Sequence, residues 1–130
     1  MTAIFKNFKE KNAYNSTAFI EIQFCKLSDT TSIKKKTVEG HIKHFSPDSL
    51  YIHHTDIDKF VEEYGGVFIS GKYANQKTGL IDPYGINYYQ RDQINDLIQR
   101  IFESKPTDYA ITIEWLIESL KFNGFYILGI

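Results

Sequence analysis

The 130-residue chain contains one cysteine, one methionine, one tryptophan and three prolines. A lone Cys25 excludes an intramolecular disulfide framework, so a hydrophobic core has to hold the fold. A mass of 15.1 kDa can supply one: such a chain exposes about 7,100 Å² when folded against about 21,900 Å² when extended. The prolines stand singly at 47, 83 and 106, with no repeat, low-complexity tract or linker between them, which predicts one continuous domain over 1–130. A mean hydropathy of -0.32 argues against both a membrane protein and a disordered tail. Residues 1–11 lack a charged-then-apolar leader, from which a cytoplasmic location is expected. Neither sign of charge dominates. A net charge of -1 and a pI near 6.4 speak against a dedicated nucleic-acid binder, whose domain is normally strongly basic.

Aromatic residues are abundant instead. Ten Phe and nine Tyr exceed what a core of this size needs, so some tyrosines are expected at the surface or an interface. Charge is also unevenly spread: residues 1–50 carry eight lysines against five acids, and residues 51–130 carry seven basic residues against eleven acids. This makes the C-terminal half the better candidate for meeting a basic partner.

Periodicity predicts a short helical turn within 4–11 and a strand over 17–27, with Ala18, Ile20, Ile22 and Phe24 on one face and Phe19, Glu21, Gln23 and Cys25 on the other. The β-branched, Lys-rich stretch 32–45 reads as an edge strand blunted by charge. Leu50–His53 reads as a strand, followed by a helix with Thr55 as its cap and Gly65 at its stop. Residues 67–74 read as a strand. Asp82-Pro83-Tyr84-Gly85 has the residues of a type I turn, expected to join Leu80-Ile81 to Ile86–Tyr89 as a hairpin. Ile94, Leu97, Ile98, Ile101 and Phe102 mark a helix limited by Pro106. A last helix, capped by Thr107 or Asp108, carries Ile111, Trp115, Leu116 and Leu120, with Trp115 placed in the core. The closing FYILGI is expected as a strand paired inside a sheet. Without regular βαβ alternation, this order predicts an α+β fold with helices on one face of a largely antiparallel sheet.

No set of residues stands out as catalytic. Gly66 and Gly71-Lys72 imitate a phosphate-binding loop, but Tyr73 replaces the magnesium-binding hydroxyl and the intervening residues favour a strand. His41, His44, His53 and His54 cluster in sequence beside Asp56 and Asp58. Neighbours on a strand face opposite ways, however, and the two aspartates suit the first turn of a helix. Neither a metal nor another cofactor is therefore expected. An alternative reading keeps this histidine segment as the site of a small α+β enzyme or of a metal- or ligand-binding domain. Cys25, on the less apolar face of its strand, is expected to be partly accessible and to act in packing.

The remaining signal is DPYGINYYQRD, in which Tyr84, Tyr88 and Tyr89 surround a tight turn flanked by Asp82, Arg91 and Asp92. Tyrosine offers large rigid area at low entropic cost and is enriched at binding hot spots. With GGVFISGKY, the IDPYGINYY turn and the capped helix running into NGFYILGI, the chain resembles the small immunity proteins of bacterial polymorphic toxins, including contact-dependent growth inhibition systems. The resemblance implies a non-enzymatic cytoplasmic protein that neutralises a cognate toxin domain, often a nuclease, by stoichiometric binding, without direct contact with nucleic acid or membrane. The expected contact surface comprises Asp82, Tyr84, Tyr88, Tyr89 and Asp92, with Glu62 and Glu63 as rim charges.

Overall fold

The computed structural model describes residues 3–130. Its strands are β1 (Phe5–Lys6), β2 (Phe19–Phe24), β3 (Leu50–His53), β4 (Gly71–Lys72), β5 (Thr78–Gly79), β6 (Ile86–Tyr89) and β7 (Phe125–Leu128). They form one sheet in the order β1-β3-β2-β7-β6-β4-β5, and every pairing is antiparallel. The helices are α1 (Phe8–Asn12), α2 (Ile33–Lys36), α3 (Ile57–Tyr64), α4 (Ile94–Ser104) and α5 (Tyr109–Ser119). This is the α+β fold read from the sequence. The accessible surface of 7084 Å² matches the roughly 7,100 Å² expected for a folded chain of this mass.

Alternation along the central strands builds two cores. Ile20, Ile22, Phe24, Ile52, Phe125, Ile127 and Tyr89 point to the face covered by α3, α4 and α5, where they meet Phe60, Tyr64, Leu97, Ile101, Trp115 and Leu116. Tyr88, Tyr126, Leu128 and Cys25 point the other way, beneath Ile33 and Ile42 of the connection between β2 and β3. All six β2 residues and all four β7 residues are consequently buried. The C-terminal strand β7 lies between β2 and β6, inside the sheet as expected.

Several local expectations are corrected. The predicted edge strand at 32–45 is α2 followed by a 3-10 turn at Glu39–His41. Ser32 accepts the Lys35 N–H, and the Thr37 hydroxyl folds back onto the Ile33 and Lys34 carbonyls, so local capping outweighs β-branched alternation. Cys25 is fully buried rather than partly accessible. The strand expected over 67–74 contracts to Gly71–Lys72, because the Val67 and Phe68 N–H groups both bond the Tyr64 carbonyl and wrap around the end of α3. A 3-10 turn at His54–Asp56 precedes α3, displacing Thr55 from the capping position. Residues 4–11 divide between β1 and α1, the latter opened by a capping box of Asn7 and Glu10.

Two contacts tie α5 to the sheet and its connections. Asp108 stands at the start of α5 in a left-handed conformation, and its carboxylate accepts the Ile4 and Phe5 N–H groups at 2.7 and 3.2 Å instead of capping its own helix. Trp115 stacks on Phe24 with ring centroids 4.1 Å apart and donates its indole N–H to the Asp48 carbonyl at 2.9 Å. Truncating it removes both the stacked ring and a partner of that carbonyl. Trp115→Ala should cost about 3–5 kcal/mol, a large share of the roughly 5–15 kcal/mol available to a domain. Urea denaturation should show an unfolded or strongly destabilised chain, and a parent-like midpoint would contradict the packing.

A second expectation concerns acid. Glu63 accepts the Thr107 hydroxyl and N–H, both at 2.7 Å, and these bonds hold its carboxyl below the ordinary value of 4.5. A depressed folded-state pKa gives stability that is complete above the unfolded value and lost as pH falls through the folded one. Below about pH 5, Glu63→Gln should therefore lose less of its own neutral-pH stability than the parent does. In parallel acid titrations of the denaturation midpoint, an equal or greater proportional loss in Glu63→Gln would disprove this.

Candidate functional site

The Asp82–Gly85 turn forms as read, but no hairpin surrounds it. The Asn87 side chain takes the place of the missing strand partner: its oxygen accepts the Asp82 N–H at 2.8 Å, and its amide donates to the Asp82 and Ile127 carbonyls, both at 2.9 Å. The Asp82 carboxylate accepts the Tyr84 N–H at 3.0 Å. From outside, Gly129 and Ile130 donate their N–H groups to the Gly85 and Pro83 carbonyls at 2.8 and 3.0 Å. Gly129 permits this approach, since a Cβ there would lie 2.5 Å from the Pro83 carbonyl. The backbone of the turn is thus fixed on both sides. The Tyr84 ring is not enclosed, and the residue is 76% exposed.

The other expected contact residues separate. Tyr88 and Tyr89 are 1% and 0% exposed, because consecutive strand residues face opposite ways and both faces of this sheet are covered. Tyr88 donates its hydroxyl to the Asn123 carbonyl at 2.7 Å. Tyr89 stacks on Phe125 at 4.8 Å, and burial pushes both phenols well above the ordinary value. Neither can offer area to a partner. Asp92 is exposed, but it lies beyond the far end of β6 from Tyr84. Glu62 is exposed on α3, while Glu63 is engaged by Thr107. Of the seven residues, Asp82 and Tyr84 remain together.

What the structure places beside Tyr84 is the basic connection, not the acidic helices. Tyr84, Glu39, His44 and Ile130 border one depression of about 270 Å³. His44 also lines a cleft of about 550 Å³, together with Lys26, His41, Lys43, Phe45 and Tyr126. His44 donates from Nε2 to Glu39 at 2.5 Å. The other two histidines take no part: the His53 ring lies 4.3 Å from His54 and 4.6 Å from Tyr14. Among the described residues, no three His, Cys, Asp or Glu side chains are grouped to hold a metal. Lys72 is on β4 opposite Tyr88 and leads into no helix. The Cys25 thiol donates to the Tyr126 hydroxyl at 3.4 Å, and that hydroxyl donates to the Lys36 carbonyl at 2.7 Å.

The loop at 43–47 carries an investment that the sequence reading overlooked. Glu21, 2% exposed in the middle of β2, accepts the Phe45 N–H at 2.7 Å, the Ser46 N–H at 2.9 Å and the Ser49 hydroxyl at 2.6 Å. Gln23 bridges Glu21 and the Lys43 carbonyl at 3.0 and 2.7 Å, and Tyr51 donates to the Ser46 carbonyl at 2.6 Å. Phe45 is held at φ 65°, a conformation costly for a residue with a side chain. The Lys11 ammonium sits 4.0 Å from the centre of its ring, a cation–π contact that clamps the loop to α1. The clue was available: FIEIQF places Glu21 and Gln23 on one face of an otherwise apolar strand, where a buried carboxylate needs donors.

Comparison with protein-family models, curated proteins and solved structures finds no match to this chain.

Replacing the carboxylate tests whether it organises the loop. Hydrogen bonds to charged groups contribute about 1.5–3 kcal/mol, and Glu21→Gln should destabilise the protein by about that much, since an amide presents only one accepting oxygen to donors that now share two. Amide exchange at Phe45 and Ser46 should accelerate more than exchange in β7. Unchanged exchange at these two sites would remove Glu21 from this role.

Proposed function

We propose that the protein is a stoichiometric inhibitor of the immunity type, which binds a cognate toxin domain and carries out no reaction of its own. The observation that carries this reading is Tyr84, a largely exposed aromatic on a backbone already fixed by Asp82, Asn87, Gly129 and Ile130. Ordering a contact loop is one of the costs of association, and here most of it is met before a partner arrives. An exposed tyrosine on a rigid turn is the kind of anchor on which binding energy concentrates. Asp82 would act at the rim, where charge mainly steers encounter.

The direct test is co-expression with the product of an adjoining reading frame, assayed as the candidate toxin. The parent should form a 1:1 complex and protect cells. A hot-spot truncation costs at least about 2 kcal/mol, so Tyr84→Ala should accelerate dissociation more than tenfold while keeping the parent's circular dichroism. Absence of a complex with the parent would overturn the reading, and full protection by the folded variant would move the interface away from the turn.

A further inference from the structure

The cleft beside the pinned loop has a composition that neither the sheet nor the Tyr84 turn requires. Its charged and titratable walls are Lys26, Lys43, His41 and His44, and no carboxylate lines it. Its apolar lining comes from Phe24, Leu27, Phe45, Pro47 and Tyr126, among which Phe45 is the exposed aromatic. The three nearby acids are engaged: Asp48 by Lys26 at 2.6 Å, Glu39 by His44 at 2.5 Å, and Glu21 by the loop N–H groups behind the cleft. His44 Nδ1 lies 4.0 Å from Glu21. Among the described residues, the Lys43 ammonium has neither an ion-pair nor a hydrogen-bond partner, although its own backbone carbonyl is fixed by Gln23. His41 donates from Nδ1 to the Lys35 carbonyl at 2.8 Å, so its Nε2 can donate to a ligand only as the imidazolium.

We propose that this cleft binds a phosphate monoester carried on a flat ring, with the phosphate held by Lys43 and by His41 as its imidazolium and the ring set against Phe45. Volume supports a ligand of this size, since small-molecule sites occupy about 300–1,000 Å³. Chemistry supports the charge: an ammonium and an imidazolium, both lacking a competing carboxylate, suit a dianion. Construction supports a purpose. Buried Glu21, Gln23 and Tyr51 and the clamp by Lys11 all converge on the loop that forms one wall, and backbone held in a costly conformation concentrates at ligand sites. The site is independent of the toxin-binding reading.

The probes are adenosine 5′-monophosphate, phenyl phosphate, adenosine and inorganic phosphate, titrated into the whole chain and followed by calorimetry and backbone amide NMR. The two esters should bind with submillimolar Kd and shift the amides of His41 and Lys43–Ser46. Inorganic phosphate should bind at least tenfold more weakly, and adenosine should not bind measurably. Lys43→Met, which keeps the carbonyl held by Gln23, should weaken ester binding at least tenfold, whereas Lys77→Met on the exposed β4–β5 turn should leave it unchanged. Failure of both esters to bind, equal binding of inorganic phosphate, or parent-like affinity in folded Lys43→Met would each overturn the proposal.

Discussion

A carboxylate withdrawn from water in the middle of β2 imposes conditions on everything packed around it. Glu21 can remain there only if donors are brought to it, and the chain supplies them from the 45–49 segment and from Gln23. That requirement draws the connection between β2 and β3 down over the second face of the sheet. Once there, Ile33 and Ile42 cover Tyr88, Tyr126 and Leu128, and the sheet becomes buried on both sides. Removing one partner of a buried ionic group usually costs more than the group ever contributed, so Glu21 and its loop behave as one unit. The reward is specificity of placement: the outer residues of the loop stand where buried chemistry puts them.

Elements that depend on local pattern were legible in the sequence. The strand around Ile20, Ile22 and Phe24, the helical stripe from Ile94 to Ile101, the core position of Trp115 and the turn at Asp82–Gly85 all follow from spacing and turn chemistry. Errors arose where a side chain replaced a backbone partner. Ser32 and Thr37 close a short helix within a stretch that alternates like a strand, and Asn87 substitutes for the second arm of a hairpin. Neither substitution has a periodic signature. Two acids differ for a similar reason: Asp108 stands at the N-cap but its carboxylate is used by β1, and Glu63, expected as a rim charge, is engaged by Thr107, both partners being distant in sequence.

The candidate contact surface shows the same limit more sharply. Tyr84, Tyr88 and Tyr89 look alike in sequence, yet their environments differ because a turn exposes its tip while a strand alternates between faces. With one face open, a single tyrosine of the Tyr88-Tyr89 pair would have reached solvent. The cover over the second face removed both. That cover is itself the basic segment, and the residues it places beside Tyr84 are Glu39 and His44, while its Lys43 lines the neighbouring cleft.

The position of β7 also bears on how the molecule comes into being. Every other strand is synthesised before it, yet β7 fills the gap between β2 and β6. In the folded sheet β7 alone joins the β1-β3-β2 and β6-β4-β5 sets, and without it β2 and β6 would each have an unpaired edge. Exposed edges of this kind invite pairing with other chains, and sheets closed by distant segments are slow to form. The slot filled by β7 is therefore the place where a chain that had lost that pairing would be most open to a strand from another copy.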